Sequence, residues 1–106
     1  MSPSFASAKV DKEKIVDYLL GSSSVAAVAE ARFFGGMGFT ADRWEELADA
    51  LRQQAARAAV TSKTSEWGTK HVATGPIDAP NGRRYKIASV WIDEGAGLRL
   101  VTAHPA

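Results

Sequence analysis

The spacing of hydrophobic and polar residues predicts helices in the first half of the chain. Residues 1–10 are small and polar and are predicted to form a flexible lead. A first helix is predicted over residues 11–20, where apolar side chains recur at helical spacing behind Asp11, a capping residue. A second helix, over residues 25–34, is apolar nearly all round. Such a helix is buried or covered by a partner, so it is a candidate interface for another protein or a second copy of this chain.

A third helix is predicted over residues 41–59, with Thr40 as its N-cap. Its apolar stripe consists of Trp44, Leu47, Ala48, Leu51, Ala55 and Ala58. This spacing of three and four residues predicts the face of the helix that packs on the rest of the molecule.

After Val60 the hydrophobic period changes from that of a helix to that of a strand. Strands are predicted over residues 61–65, 69–75, 83–93 and 98–103, separated by turns at Trp67-Gly68, Asp78–Gly82 and Gly95–Gly97. Helices followed by an antiparallel meander predict an α+β fold. In this fold two to three N-terminal helices pack on one face of a C-terminal antiparallel sheet of three to four strands. The folded part is a single α+β domain over residues 11–106.

The predicted strand over residues 83–93 has two faces that alternate along the chain. The face expected to pack on the helices carries Ala88, Val90 and Ile92. The opposite face carries Tyr85, Ser89 and Trp91, a mixed set expected to be partly open. Taken as single residues, Trp91 and Trp67, the latter at the turn before the second strand, are both expected to pack in the core, as most tryptophans do.

Composition describes an ordinary globular domain of 106 residues, 45% hydrophobic and 24% charged. The net charge of +1, from 13 basic and 12 acidic residues, excludes a basic surface over the whole molecule but permits a local basic patch. The chain has no cysteine, no apolar run of roughly 20 residues and no secretory signal pattern. A cytoplasmic protein without membrane contact is therefore expected.

Several kinds of chemistry lack their motifs in this sequence. The two histidines, His71 and His104, have no partner at metal-ligand spacing. The glycine-rich stretch over residues 33–40 lacks the lysine and the preceding strand of a phosphate-binding loop, and no G-x-S-x-G motif occurs. The sequence therefore predicts no metal, no cofactor and no serine nucleophile.

The predicted sheet carries basic, aromatic and histidine side chains that suit RNA chemistry. Cleavage of RNA without a metal needs a base, an acid and a cation that stabilises the pentacovalent phosphorus. The candidate catalytic residues are His71, Arg83 and His104. The candidate phosphate- or nucleic-acid-binding residues are Lys70, Arg84, Tyr85, Arg99 and Thr102. The alternative interpretation is structural, because the two histidines can lie on opposite faces and charges at a turn are commonly solvated.

Several short motifs resemble those of a bacterial domain family of unknown function. In chain order they are KIVDYLL, ARFF…GF, TADRWEEL, GTKHVATGPI, P-N-G-R, SVWI and LVTAHP. That family occurs as small stand-alone proteins, often beside another very small gene, and as the C-terminal module of polymorphic toxins. The resemblance implies toxin activity controlled by a small partner protein. The order of helices before sheet is similar to that of small RNases such as RelE-like toxins and barnase.

The sequence departs from the family pattern in two places: at His104, where an aromatic residue is more usual, and ahead of ARFF. Ser24, Val25, Ala27 and Glu30 stand where the pattern has His-Pro, Gly and Lys. If that lysine binds phosphate in relatives, Glu30 reverses the charge there. Two hypotheses follow. One is a toxin-like, metal-independent RNase; the other is a non-enzymatic binding protein, such as an antitoxin-like, immunity or mobile-element inhibitor protein.

Overall fold

The structure, a computed structural model, describes residues 5–21, 25–95 and 97–106, without the side chains of residues 17, 18, 25–28 and 30. Two short helical turns, Phe5–Ser7 and Lys14–Leu19, precede helix α1, Val25–Gly36. A single turn, Ala41–Arg43, leads into helix α2, Trp44–Arg57. No helix in this described part is long and apolar enough to cross a membrane.

Four strands follow the helices: β1 is Ala59–Ser65, β2 is Gly68–Asp78, β3 is Arg84–Asp93 and β4 is Leu98–Pro105. They form one sheet in the order β1-β2-β3-β4, and each neighbouring pair is antiparallel. Short connections join consecutive strands, so each strand pairs with the next one along the chain. This arrangement confirms the predicted α+β fold with a C-terminal antiparallel sheet.

Helix α2 covers one face of the sheet, which we call the inner face. Its predicted stripe is confirmed, because Leu47, Ala48, Leu51 and Ala55 are all buried. Gln54 is buried beside them and donates from Nε2 to the carbonyl oxygens of Ala73, Gly75 and Ile87 in β2 and β3. Thr40 occupies the N-cap position of the turn Ala41–Arg43, as predicted, but its side chain makes no capping hydrogen bond.

The two faces of β3 are the reverse of the prediction. Trp91 is fully buried on the inner face, together with Ile87 and Ser89. The indole nitrogen needs an acceptor when buried, and it donates to Ser89 Oγ at 2.8 Å. Ser89 Oγ in turn donates to Gln54 Oε1 at 2.6 Å, which fixes this face against α2. Ala88, Val90 and Ile92 therefore lie on the opposite face.

The N-terminal segment differs from the flexible lead that its composition predicts. Phe5, Ala8 and Val10 are buried in the same core as α2 and the sheet. The Lys9 amide donates to the carbonyl of Leu98 at 2.8 Å, and the Lys9 carbonyl accepts from the amide of Leu100 at 2.9 Å. These bonds pair the segment in parallel with the start of β4. Burial of the Phe5 ring stabilises an order that small polar neighbours alone do not indicate.

Candidate functional site

The candidate site lies on the outer face of the sheet, the face opposite α2. Side chains alternate between faces along each strand, and the register shows which positions share this face. The outer face carries Lys63 of β1; Lys70 and Val72 of β2; Lys86, Ala88, Val90 and Ile92 of β3; and Arg99, Thr102 and His104 of β4. Ala88 and Val90 are buried but do not belong to the core under α2, which places them on a separate surface.

A bulge in β4 brings three of the predicted residues together on this face. Trp91 pairs with Leu100, but the preceding residue, Val90, pairs with Thr102. Val101 is therefore an extra residue in β4, and the alternation shifts by one position after it. Without the bulge, Thr102 would share the inner face with Leu100. With it, Thr102 and His104 share the outer face with Arg99.

One row of outer-face positions crosses all four strands and is rich in cations. Lys63 pairs with Lys70, Lys70 pairs with Ile92, and Ile92 pairs with Arg99. Lys9 extends the row beyond β4, because it forms a parallel bridge with Arg99. We call Lys63, Lys70, Arg99 and Lys9 the basic row. Neighbouring strands are about 4.8 Å apart, so the row spans roughly 19 Å.

The basic row is balanced by acids at one end and unbalanced at the other. Arg99 forms an ion pair with Glu94, and Lys9 lies 3.7 Å from Asp11. Lys63 and Lys70 form no ion pair with any part of the chain that the structure describes. Their positive charge is therefore available to an anion at the β1–β2 end of the sheet.

Between the basic row and His104, the outer face carries small and β-branched residues. Val72 pairs with Val90, which pairs with Thr102, and the next outer rung places His104 opposite Ala88. His104 is exposed, and its Nδ1 lies 3.0 Å from the Pro105 carbonyl oxygen. The rung of His104 is four residues along β3 from the basic row, or about 13 Å.

A further cation lies beside His104. Lys86 is exposed on β3 and occupies a position diagonal to His104, since His104 pairs with Ala88. Diagonal neighbours on one face of a sheet are about 7–8 Å apart, which long side chains can bridge. The corner of His104 and Lys86 therefore combines a group that can transfer a proton with a cation.

His71 lies on the other side of the sheet, so the structure does not assemble the predicted pair of catalytic histidines. It pairs with Trp91, an inner-face residue, and only 7% of its surface is exposed. Its Nδ1 lies 2.6 Å from Ser62 Oγ, and the Phe5 ring packs edge-on against the imidazole. These contacts give His71 a packing role between β1 and the N-terminal segment.

The remaining predicted residues lie near the opposite end of the sheet. Arg83 is exposed in the turn before β3, where its amide donates to Asn81 Oδ1. Arg84 is on the outer face but forms an ion pair with Asp78 at 2.8 Å. Tyr85 is on the inner face and packs against Phe33, so it does not join the basic row.

Sequence reasoning did not single out Lys63, Lys86 or Lys9 for this site. Lys63 and Lys9 join the row only through strand pairing, and Lys86 becomes relevant only through its register with β4. The positions that depart from the family pattern, Ser24 and the side chains of 25, 27 and 30, lie outside the described residues. Within residues 5–21, 25–95 and 97–106, no cluster of three or more His, Asp or Glu side chains could hold a metal ion.

A comparison with models of protein families shows the family to which the sequence belongs. A model described as a domain of unknown function, DUF6883, matches residues 2–106. The chain belongs to the DUF6883 family. The match begins before the buried Phe5, so the paired N-terminal segment is part of the DUF6883 domain. A search of curated proteins finds no match.

A solved structure has the same fold as this DUF6883 domain. It is a chain of a contact-dependent growth inhibition toxin–immunity protein complex from Klebsiella pneumoniae 342. The two chains superpose with a TM-score of 0.76, the match covers 96% of each chain, and the sequences are 21% identical. Similarity at this identity shows a shared fold across the whole length of both chains.

Proposed function

We propose that this protein is a toxin-like domain that binds and cleaves RNA without a metal ion, on the outer face of its sheet. The observation that carries the proposal is the basic row, which crosses the face that no described helix covers. Lys63 and Lys70 supply charge without acidic partners among the residues that the structure describes. A row of cations on a sheet is suited to a polyanion, because cations that neutralise phosphates release the counterions condensed on the nucleic acid.

Side chains of the outer face can supply a proton transfer and a positive charge for cleavage of RNA. In metal-free cleavage the 2′-hydroxyl loses its proton and attacks the adjacent phosphorus, and the 5′-oxygen leaves after receiving a proton. The products are a 2′,3′-cyclic phosphate and a free 5′-hydroxyl. We assign one of the two proton transfers to His104, and the stabilisation of negative charge at phosphorus to Lys86 beside it. The basic row then positions the RNA about 13 Å away along the strands.

The experiment is expression of the chain under tight induction, followed by growth and total RNA, and then an assay of purified protein on RNA in the presence of EDTA. We expect growth arrest and products that end in cyclic phosphate. His104→Ala should lower cleavage by about 100-fold or more, as removal of a general acid or base does. Arg43→Gln, which removes an exposed charge from the start of α2, is the matched control and should leave cleavage unchanged.

His71→Gln distinguishes the role of His71 from that of His104. We expect it to lower stability through lost packing while the folded fraction still cleaves RNA. Cleavage that survives His104→Ala but is lost in folded His71→Gln would contradict the assignment of the site. Normal growth and intact RNA with wild-type protein would contradict RNase activity itself.

A second candidate is a non-enzymatic binding protein of the immunity type. It is favoured by the separation of the two histidines and by the pairing of Arg99 with Glu94, which leave the outer face fewer catalytic groups than predicted. The solved chain of similar fold belongs to a complex of a toxin with its immunity protein. For this protein we propose a small acidic partner that covers the basic row. Under the immunity hypothesis the purified chain binds that partner and leaves RNA intact.

A further inference from the structure

The hairpin between β1 and β2 holds a tryptophan out in solvent. Trp67 is 77% exposed, contrary to the expected core position, and no described aromatic ring packs against it. The Trp67 amide donates to Ser65 Oγ at 3.2 Å, and Ser65 Oγ donates to the Gly68 carbonyl at 3.3 Å. The exposed indole is therefore presented by a turn that is itself hydrogen-bonded.

The turn is also fixed against the neighbouring hairpin. Gly68 has a φ of +125°, and a β-carbon at this position would lie 2.4 Å from the Asp93 carbonyl oxygen. The backbone of the turn thus packs directly on the end of β3. The turn is closely packed while the indole is exposed. The backbone of the turn, and not packing of the ring, therefore fixes the position of Trp67.

Two lysines lie two rungs from the pair that closes this turn, Ser65 and Gly68, or about 7 Å along the strands. Lys63 and Lys70 are directly opposite each other on the outer face, two residues from the turn on either strand. Like charges at opposed positions destabilise a sheet. Neither lysine is compensated by an acidic side chain in the described parts of the chain. An anion bound between them would relieve this repulsion.

We propose that Trp67, Lys63 and Lys70 form a subsite for single-stranded nucleic acid, in which one base stacks on the indole and the adjacent phosphates lie on the two lysines. The inference rests on the proposed function, since it assigns the part of the RNA that the β1–β2 hairpin holds. Aromatic rings beside cations are the combination that binds single strands, because every base has a face to stack and every nucleotide a charge.

The alternative occupant is an acidic protein. Lysines alone would serve either ligand, because carboxylates and phosphates both pair with ammonium groups. The indole favours nucleic acid: among the side chains that the structure describes, the only other large hydrophobic one that is exposed is Val60, at the far end of β1, so the indole lacks the apolar surroundings that make up the core of a protein interface. The neighbouring positions, Ser65 and Glu66, are polar and exposed.

The test uses two probes with the full-length chain: a fluorescein-labelled deoxythymidine strand of about eight nucleotides, and inorganic polyphosphate. The deoxy strand has no 2′-hydroxyl and is not cleaved, and polyphosphate has charge but no base. Affinity is measured for Trp67→Ala, Trp67→Phe and the double variant Lys63→Gln/Lys70→Gln. Val60→Ala, which truncates an exposed hydrophobic side chain at the far end of β1 from the turn, is the matched control, and circular dichroism verifies folding.

Trp67→Ala should weaken binding of the deoxy strand roughly 5- to 150-fold, the range for loss of one stacked base. The affinity for polyphosphate should stay unchanged. Trp67→Phe should restore most of the affinity, and the double lysine variant should weaken both probes. If wild-type protein binds the strand and folded Trp67→Ala binds it equally well, the subsite is wrong while the proposed function stands. Equal loss for both probes in Trp67→Ala also contradicts stacking. If wild-type protein binds neither probe, nucleic-acid binding and this subsite fall together.

Discussion

Gln54 is the residue that ties α2 to the inner face of the sheet. Its amide nitrogen donates to carbonyl groups of two strands, and its amide oxygen accepts from Ser89. Ser89 at the same time accepts from the Trp91 indole. Every buried side-chain nitrogen and oxygen among the described residues has a partner, so this chain of bonds is complete. A complete buried network specifies one packing of helix on sheet.

Truncation of Gln54 should therefore be costly, whereas truncation of its neighbour should not. Gln54→Ala removes the partners of the Ser89 hydroxyl proton and of strand carbonyls and leaves a cavity; we expect a loss of about 2–4 kcal/mol in the free energy of unfolding. Gln53→Ala, at the next and exposed position of α2, should change it by less than about 0.5 kcal/mol. Urea denaturation measures both values. Equal midpoints for the two variants would show that the network contributes nothing.

Single residues mark the limit of what the sequence predicts for this site. The period of α2 predicts its apolar stripe, but a glutamine in such a stripe gives no sign that strand carbonyls lie within its reach. Trp67 and Trp91 are the same residue type, yet one is exposed and the other fully buried. Propensity cannot separate them, because burial is decided by which rung of the sheet lies under α2.

At the scale of elements, the sequence predicts where the strands lie but not which face of the sheet α2 covers. Both faces of β3 are mostly apolar, so alternation shows that two faces exist without showing which one α2 covers. The bulge at Val101 does leave a trace in the sequence, because Leu100 and Val101 are consecutive apolar residues and the polar positions change phase across them, from Arg99 to Thr102 and His104; strict alternation through β4 misses it. The candidate site depends on both features, since together they place Lys70, Arg99 and His104 on one face.

The N-terminal segment behaves as a structural element, and a single truncation tests it. Phe5 packs edge-on against Trp91, with ring centroids 5.6 Å apart, and 4% of its surface is exposed. Phe5→Ala should lower the free energy of unfolding by about 3 kcal/mol or more. Trp67→Ala, which truncates an exposed aromatic residue, should change it by less than about 0.5 kcal/mol. A Phe5→Ala protein as stable as wild type would support the flexible lead that the composition predicts.

The β1–β2 hairpin depends on Gly68 for both conformation and space. Gly68→Ala forces a side chain into a positive φ and against the Asp93 carbonyl. Gly82 also has a positive φ, +83°, but the β-carbon that Gly82→Ala adds would meet open space. We expect Gly68→Ala to be the less stable of the two by at least about 1 kcal/mol. Thermal or urea unfolding of the pair measures the difference, and equal stabilities would mean that the contact with β3 relaxes freely.

The helix side of the molecule carries charges of both signs, whereas the outer face of the sheet carries mostly cations. The first turns of α2 and the turn before it expose Asp42, Glu45, Glu46 and Asp49. The outer face of the sheet exposes lysines and histidine on the opposite side. The net charge of +1 sums over the whole chain and therefore does not describe the charge of the outer face. A polyanion responds to the local potential of the basic row, so a nearly neutral chain can still bind one.

Salt dependence tests whether the basic row is the part of the molecule that meets phosphate. Each phosphate neutralised on a single strand contributes about −0.7 to the slope of log Kobs against log salt concentration. Contacts from Lys63, Lys70 and Arg99 predict a slope near −2 for a deoxythymidine strand of about eight nucleotides. Lys70→Gln should bring the slope closer to zero by about 0.7, because one contact is lost. Arg43→Gln removes the same charge from the turn before α2, the helix that covers the inner face, and should leave the slope unchanged, since no phosphate contact is lost. Equal changes in the two variants would mean that affinity follows net charge, and the basic row would then have no special part in binding.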